Sequence, residues 1–448
     1  MPSRSMSLTE GSPFKLIMLF SLPILFGNVF QQLYNIADTA VIGNVLGDNS
    51  LAAMGAASPI YGLIIGFANG VTNGFSIITA KYFGAENSDR VRKSAAMTVV
   101  LTLIISVILV AAGLLGLDPL LQFLKTPEEI FPETKTYLAI ILSFGLVTML
   151  YNMLAGMLRA IGNSKAPLLF LIVAVIANIL LDILFVAAFG WGIAGAASAT
   201  VISQFISVIF CGIYVIRKCD IFALSKEDFK PEKALIGDLL STGISMGLML
   251  AVVSIGSVAL QGAVNSFGSE IIAAHTAARK IDEILTLPLG TLAMAGSTFA
   301  SQNYGAGKLT RVRQGIKAAI LLSFIWSGIS TLAVFTLGEF AVKALTGTTD
   351  PIVIENAASY IQFDIPFFFA LSVLLVLRSS LQGLGRKIVP LCASIIELLS
   401  KFAAVGFIAP ALGYFGIIIL EPIIWILSAL AVGIDYLVFR KKTKASAE

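Results

Sequence analysis

The chain repeats itself. Sliding it by 221 positions aligns Gly47 with Gly268, Ala52-Ala53 with Ala273-Ala274, Gly84-Ala85 with Gly305-Ala306, and Arg90-Val91-Arg92 with Arg311-Val312-Arg313. At 223 positions the match resumes, pairing Tyr137 with Tyr360, Leu158 with Leu381, Gly162 with Gly385, Pro167 with Pro390 and Gly190 with Gly413. Apolar segments match by chance, but a paired Arg-Val-Arg after a paired Gly-Ala in polar loops does so far less easily. The repeated material is apolar: hydrophobic residues fill 57% of the 448 positions and charged residues only 12%, a balance foreign to a soluble domain. Twelve apolar stretches lie near 15–43, 52–80, 94–117, 134–158, 167–190, 193–217, 236–264, 271–299, 316–338, 357–380, 390–411 and 415–439. Crossing roughly 30 Å of hydrocarbon takes about 20 residues of helix, and uninterrupted stretches of this length fit helices rather than short alternating barrel strands. The expectation is an all-α integral membrane protein with twelve transmembrane helices in two six-helix bundles.

Six spans is an even number, so both copies begin on the same side and the bundles are related by an axis along the membrane normal. The expected division is a first lobe over 1–217, a charged linker over 218–235 that is cytoplasmic and partly helical, and a second lobe over 236–448. Two such bundles with a cleft between them suit alternating access. Most of the 30 Lys and Arg fall in the termini and the even-to-odd loops, whereas Lys125, Lys135, Arg279, Lys280 and Lys343 fall on the other side. Positive loops stay inside, so both termini are expected in the cytoplasm, across the plasma membrane of a prokaryote. The net charge of +4 is thus a topology signal and not a nucleic-acid footprint. The first apolar stretch is too long for a signal-peptide core and is expected to remain as a helix. Cys211, Cys219 and Cys392 lack metal-ligand spacing and read as filler or free thiols.

The two copies differ where charge is buried. In the first span, Asn28, Gln31, Asn35 and Asp38 share one helical face, with Tyr34 beside them. The fifth span places Asn178 and Asp182 one turn apart in an otherwise apolar context. A carboxylate inside a bilayer is costly unless it faces a partner, a cavity or an ion. A hydrated Asp38 near the outer interface, or an Asp–Asn pair that glues helices, would be the plain alternatives. Across the repeat, however, Asp38 corresponds to Ala259, Asp182 to Val405, Tyr34 to Ile255 and Asn178 to Lys401. The architecture common to both halves does not require these groups, which favours a functional role.

Other polar positions are less pointed. Gly62, Gly66, Gly70 and Gly74 on the second span would permit close helix packing, and Asn69, Thr72, Asn73 and Ser76 either line the cleft or bond between helices. Pro23 removes one internal hydrogen bond and is a candidate hinge. In the second half, Ser254, Ser257, Gln261, Asn265 and Asp364 are candidate substrate contacts. Glu397 and Lys401, one turn apart, would neutralise each other. Glu421 is expected near the outer end of the cleft, and His275 in a solvated or capping position at an outer helix start. No Walker loop, His-Glu-x-x-His or Gly-x-Ser-x-Gly element is present, so the common signs of ATP-driven or hydrolytic chemistry are missing and no enzyme activity or cofactor is expected.

With two like-oriented halves, the chain resembles the multidrug and toxic compound extrusion (MATE) family over nearly its full length. The resemblance is carried by Asn35-Ile36-Ala37-Asp38-Thr39, Gly84-Ala85, Arg159-Ala160-Ile161-Gly162-Asn163 and Gln302-Asn303-Tyr304-Gly305-Ala306-Gly307, in that order and spacing. It implies a polar network in the first lobe made of Asp38, Tyr34, Asn178, Asp182, Thr200 and Tyr137, with Pro23 as the bending point of helix 1. One branch of the family instead uses a Glu on helix 7 for cation coupling. The interior of that helix carries no acid here, which argues against a cation site in the second lobe even though Asp364 is present.

The reading is a secondary antiporter that exports amphipathic, often cationic, drugs in exchange for H⁺ or Na⁺, with Na⁺ or a proton held at Asp38 and Asp182. Membrane lipids are its surroundings, and a complete path in one chain lets a monomer suffice. The rival is a flippase for lipid-linked saccharides or other lipids, which would need several cations to hold pyrophosphate. An intramembrane enzyme or receptor-like scaffold would need a reactive constellation or a large extramembrane domain, and neither is visible.

Overall fold

The computed structural model describes residues 7–445, and these residues form helices and connecting turns without a strand. The long helices are α1 (Pro13–Leu46), α2 (Asp48–Gly84), α3 (Ser88–Leu115), α4 (Phe131–Ser143 and Gly145–Ala160), α5 (Lys165–Ala188), α6 (Gly192–Lys218), α7 (Lys233–Val264), α8 (Ser269–Gly305), α9 (Leu309–Thr346), α10 (Pro351–Gly383), α11 (Ile388–Leu412) and α12 (Tyr414–Ala445). Eleven are long and apolar enough to cross a membrane, and α4 makes up to twelve as a span bent by 47°. The fourth span, expected as one continuous stretch, breaks at Ser143-Phe144-Gly145, where a Ser/Gly pair lowers the cost of leaving the helix. In α10 a 3₁₀ turn at Ile365–Phe367 contains Pro366, which has no N–H to give the helix ladder. The chain is a multi-pass membrane protein.

By contact it divides into two units. The first contains Leu22–Ala251; the second contains Leu8–Ser21 and Val252–Glu448. These divisions fall inside α1 and α7, whereas the expected repeat boundary falls in the linker before α7. Each unit therefore includes the leading turns of a helix whose remainder belongs to the other.

Backbone geometry explains why certain residues recur. Gly47 and Gly268, which open the second helix of each copy, have φ of 84° and 92°, and Gly190 and Gly413, before the sixth helix of each copy, have 67° and 62°. Such φ values clash with a Cβ, so both copies need glycine there. The fifth helix of each copy also carries a π-helical turn, at Ile183–Ala188 and Ala404–Ile408. Asp182 is the residue immediately before the first of these.

Gly70 and Gly74, among the spaced glycines on α2, are used for close approach. A Cβ on Gly70 would lie 2.4 Å from the Met246 carbonyl, and one on Gly74 would lie 2.5 Å from the Gly243 Cα. Gly243 and Gly247 on α7 face them with the same spacing, so backbone meets backbone in the first unit, flanked by buried Val71, Phe75, Leu235 and Leu239. The polar stripe beside these glycines is largely satisfied locally: Thr72 donates to Ala68 and Asn69 carbonyls, Ser76 to Asn73, and Arg159 of α4 donates to the Asn73 side chain at 3.3 Å.

The repeated Arg-Val-Arg has one structural job in both copies. Val91 and Val312 are buried. In the first unit Arg90 pairs with Glu232, the residue before α7, and Arg92 lies 3.8 Å from Asp228. Asp228 also closes a capping box with Ser225 at the 3₁₀ turn Lys226–Phe229. Hydrogen bonds from Ser225, first its backbone N–H, with Arg92 and Lys93 nearby, hold the Asp228 carboxyl below the usual carboxylate range. In the second unit Arg311 donates to the Gly11 carbonyl at 2.9 Å and the Leu8 carbonyl at 3.3 Å, while Asn303 donates to the Leu8 carbonyl and the Gln302 side chain accepts from Leu8 N–H. Each arginine thus fastens the segment that leads into the first helix of a copy. The Arg159–Asn163 stretch is likewise structural: Asn163 accepts from Ala166 N–H at the start of α5 and donates to Tyr214. Cys211 and Cys219 fill the apolar core of the first unit, Cys392 is exposed, and all three are free thiols.

Two outcomes follow from this packing. Gly74→Ala should cost about 1–3 kcal/mol and lower the thermal unfolding midpoint of detergent-solubilised protein, whereas Gly62→Ala, where the added carbon meets no atom within 4 Å, should leave it unchanged. Arg90→Ala should speed trypsin cleavage at Lys226 and Lys230 in the linker, read from the fragment pattern over time, while Arg440→Ala at the far end of α12 should not.

Candidate functional site

The carboxylates that distinguish the first copy come together. Asp38, in the second half of α1, and Asp182, at the π turn of α5, are both buried, with 5% and 1% of their surfaces exposed. Their carboxyls face each other within hydrogen-bonding reach. Neither Asp182 oxygen, nor Asp38 Oδ1, has a donor with good geometry. Two carboxylates so placed repel each other in a low-dielectric setting, so the pair is stable when it holds a proton or a cation. Asn178, one turn before Asp182, is wholly buried with its side chain beside the Asp182 carboxyl. Its carbonyl oxygen and the carboxylates form a donor set that a cation would accept, and its N–H₂ suits a carboxylate.

Tyrosines surround the pair. Tyr34 lies one turn before Asp38 and donates to the Thr200 hydroxyl on α6 at 2.8 Å. Tyr137, on the first limb of α4, lies near both Asp38 and Asp182. All three of these residues are buried. Sequence reasoning missed Tyr61 of α2, which stands next to Asp38, Tyr34 and Tyr137. Its only signal was that its repeat partner, 221 positions on, is Asp282.

The structure separates the other two polar residues of α1 from this centre. Gln31 is half-buried, and Asn35 is exposed with its amide 3.4 Å from Gln32. A helical face is about a hundred degrees wide, and Asp38 with Tyr34 occupies one edge while Asn35 lies on the other. Pro23 is buried within α1, next to the point where the helix passes from one contact unit to the other. Among the described residues, no three His, Cys, Asp or Glu side chains are grouped to hold a metal. A bound Na⁺ would therefore rely on the two carboxylates plus neutral oxygens.

The second unit holds a larger buried ionic network than the sequence suggested. Lys401 bonds Glu397 at 3.2 Å, as its spacing predicted, but also Glu421 at 3.1 Å. Arg279 lies 3.3 Å from Asp282 and 3.9 Å from Glu421, and Arg378 is buried 3.7 Å from Glu397. His275 is not solvated: it is 2% exposed, packed edge-on to the rings of Tyr360 and Tyr414, with Nδ1 3.3 Å from the Tyr414 hydroxyl. A helix start in a membrane bundle is surrounded by other helices, and the neighbouring turns of α10 and α12 cover it.

The comparisons agree with this architecture. The family model described as MatE matches twice, over residues 23–184 and 245–406, so that the matches begin 222 positions apart, between the two offsets of the internal repeat. The chain is similar to the probable multidrug resistance protein YpnP of Bacillus subtilis (strain 168), 31% identical over 391 residues that cover 87% of this chain and 86% of that one. It is also similar to the multidrug export protein MepA of Staphylococcus aureus (strain N315), 24% identical over 84% of this chain and 83% of the relative. Among solved structures, one described as MATE in the bent conformation superposes with a TM-score of 0.92 at 24% identity, covering all of both chains. One described as the outward-facing conformation of a multidrug resistance MATE family transporter gives 0.90 at 24%, over 99% of each. Twice-matched family model, full-length fold and buried polar centre lead to one conclusion: the chain belongs to the multidrug and toxic compound extrusion family of transporters.

Proposed function

We propose that the chain is a secondary active multidrug exporter that expels amphipathic, cationic organic compounds as protons or sodium ions move inward. The observation that carries this reading is the Asp38–Asp182 pair: two buried carboxyls face each other with no Lys or Arg among the groups beside them, and the repeat partners of both are apolar, Ala259 and Val405. The names of the relatives, a probable multidrug resistance protein and a multidrug export protein, support the substrate class. Binding of the ion relieves the repulsion between the carboxylates, and its release restores it. Since Asp38 lies on α1 and Asp182 on α5, occupancy changes which arrangement of these helices is favoured. Pro23 supplies the weak point at which α1 would bend. The same reading places the chain in the plasma membrane of a prokaryote with both termini cytoplasmic, working as a monomer.

The flippase reading is weaker on this geometry. Pyrophosphate recognition needs uncommitted cations, yet Arg279, Arg378 and Lys401 are each within ion-pair distance of a carboxylate.

The decisive experiment is uptake of a fluorescent organic cation into proteoliposomes under an imposed pH or sodium gradient. Wild type should transport in response to one of the two, and Asp38→Asn and Asp182→Asn should each abolish gradient-driven transport while eluting as intact, monodisperse protein. Transport against a gradient that survives in both variants would sink the coupling scheme. Thr200→Val, which removes one buried hydrogen bond worth about 1 kcal/mol, should slow transport several-fold without abolishing it, as measured by initial rates at saturating substrate.

A further inference from the structure

Where α9 leaves its apolar stretch it carries a charged pair that the proposed transport does not use. Glu339 is the first residue after the apolar positions 316–338, and Lys343 follows one turn later. Their charged atoms lie 3.8 Å apart and both side chains are exposed, so they attract each other without closing a hydrogen bond. Beside them is a cavity of about 340 Å³, the size of a small-molecule site. Thr336, Glu339 and Lys343 of α9 and Gln362 of α10 line it, together with the rings of Phe335 and Phe340. Positions 336, 339, 340 and 343 share one helical face.

A glycine holds the cavity open. A Cβ on Gly338 would lie 3.4 Å from Ile361 Cδ1 and 3.7 Å from the Gln362 amide nitrogen, so the amide stands where a side chain from α9 would crowd it. At the 221-position offset the first copy has Leu117 in place of Gly338, Asp118 in place of Glu339 and Gln122 in place of Lys343. There Leu117 is buried, and Asp118 accepts from Lys135 of α4 at 2.8 Å. The first copy thus fills the space and closes its acid on a cation from the neighbouring helix. The second keeps a cavity, and its acid has a cation on its own helix at longer range. A Glu–Lys pair one turn apart is ordinary on a solvated helix; the cavity, the glycine beside it and the amide from α10 set this pair apart.

We propose that this cavity binds the headgroup of a phospholipid with a primary ammonium, of the phosphatidylethanolamine type, where α9 emerges from the hydrocarbon. On the topology proposed above, that is the outer leaflet. Such a headgroup joins one anion to one cation across a few bonds, and the cavity offers the complement of each. Phosphate oxygens accept from Lys343 Nζ and the Gln362 amide, and the ammonium donates to the Glu339 carboxylate. The Thr336 hydroxyl gives its proton to the Leu332 carbonyl at 2.8 Å, so its remaining lone pairs suit an N–H donor rather than a phosphate. A purely anionic headgroup would meet the Glu339 carboxylate, and a trimethylated ammonium has no N–H to give it. The occupant is a lipid and not a soluble zwitterion because the polar residues adjoin exposed Leu332, Phe335 and Phe340, an apolar surface that acyl chains cover.

The test is lipid binding to delipidated, detergent-solubilised full-length protein, read by native mass spectrometry as each lipid is titrated, and its outcome is independent of the transport reading. Phosphatidylethanolamine should bind wild type about tenfold more tightly than phosphatidylcholine or phosphatidylglycerol with the same chains. Glu339→Gln and Lys343→Gln should each weaken that binding about tenfold, and Gly338→Leu, which places in the second copy the residue found in the first, should do the same. Removing the exposed 3.0 Å pair of α8 with Lys280→Gln and Glu283→Gln together should leave binding unchanged. Glycerophosphoethanolamine, the same head without chains, should not compete at equal concentration. Equal affinity for the three lipids, a preference for phosphatidylglycerol, a preference that survives Glu339→Gln and Lys343→Gln, or an equal loss in the α8 double variant would overturn the site. Competition by glycerophosphoethanolamine would overturn a lipid as its occupant.

Discussion

A charge buried in hydrocarbon must be answered by an opposite charge, a proton or an ion, and both units of this protein are organised around that demand. The first unit answers it sparsely. Asp38 and Asp182 face each other among Asn178, Tyr34, Tyr61, Tyr137 and Thr200, with no Lys or Arg in the group. The second unit answers it densely, linking Arg279, Arg378 and Lys401 to Asp282, Glu397 and Glu421. A centre without fixed cations would change its charge whenever a mobile cation arrived or left, which is what the proposed coupling requires.

The scaffold common to both copies is set by backbone geometry more than by side-chain chemistry. Glycines at φ values closed to other residues recur at the same turns, and a π-helical turn recurs in α5 and α11. The arginine of each Arg-Val-Arg fastens the segment leading into a first helix, Arg90 through Glu232 before α7 and Arg311 through the carbonyls of Leu8 and Gly11 before α1. These features explain why residues match across the repeat in loops, where apolar composition cannot produce the match. They also separate scaffold from candidate site: the pattern repeated within the chain carries the fold, and the departures from it, Asp38 against Ala259 and Asp182 against Val405, are the positions on which the proposed ion coupling rests.

Tight packing and polar function are kept apart on α2. Gly70 and Gly74 bring its backbone against α7 within the first unit, and the hydroxyls beside them bond to their own helix. Gly62 and Gly66, spaced identically in sequence, do not both share that role, since a Cβ at Gly62 meets nothing within 4 Å. Spacing on a helix says which residues share a face, but only the neighbouring helix decides how much of that face is contacted.

The sequence by itself determined the helical class and the duplication, because span length, apolar content and internal repetition are one-dimensional properties that the bilayer converts directly into structure. It also picked out Asp38, Tyr34, Asn178 and Asp182, since a polar residue inside an apolar span is conspicuous. Tertiary structure alone decided that Asp38 meets Asp182 while Asn35 turns away, and that Tyr61 joins them. It alone revealed that His275 and Asp364 are buried and that Arg378 belongs to a membrane-embedded network. These outcomes depend on which side chains from different helices arrive within a few ångströms of one another, and a buried ionisable group takes its state from those neighbours rather than from its place in the chain.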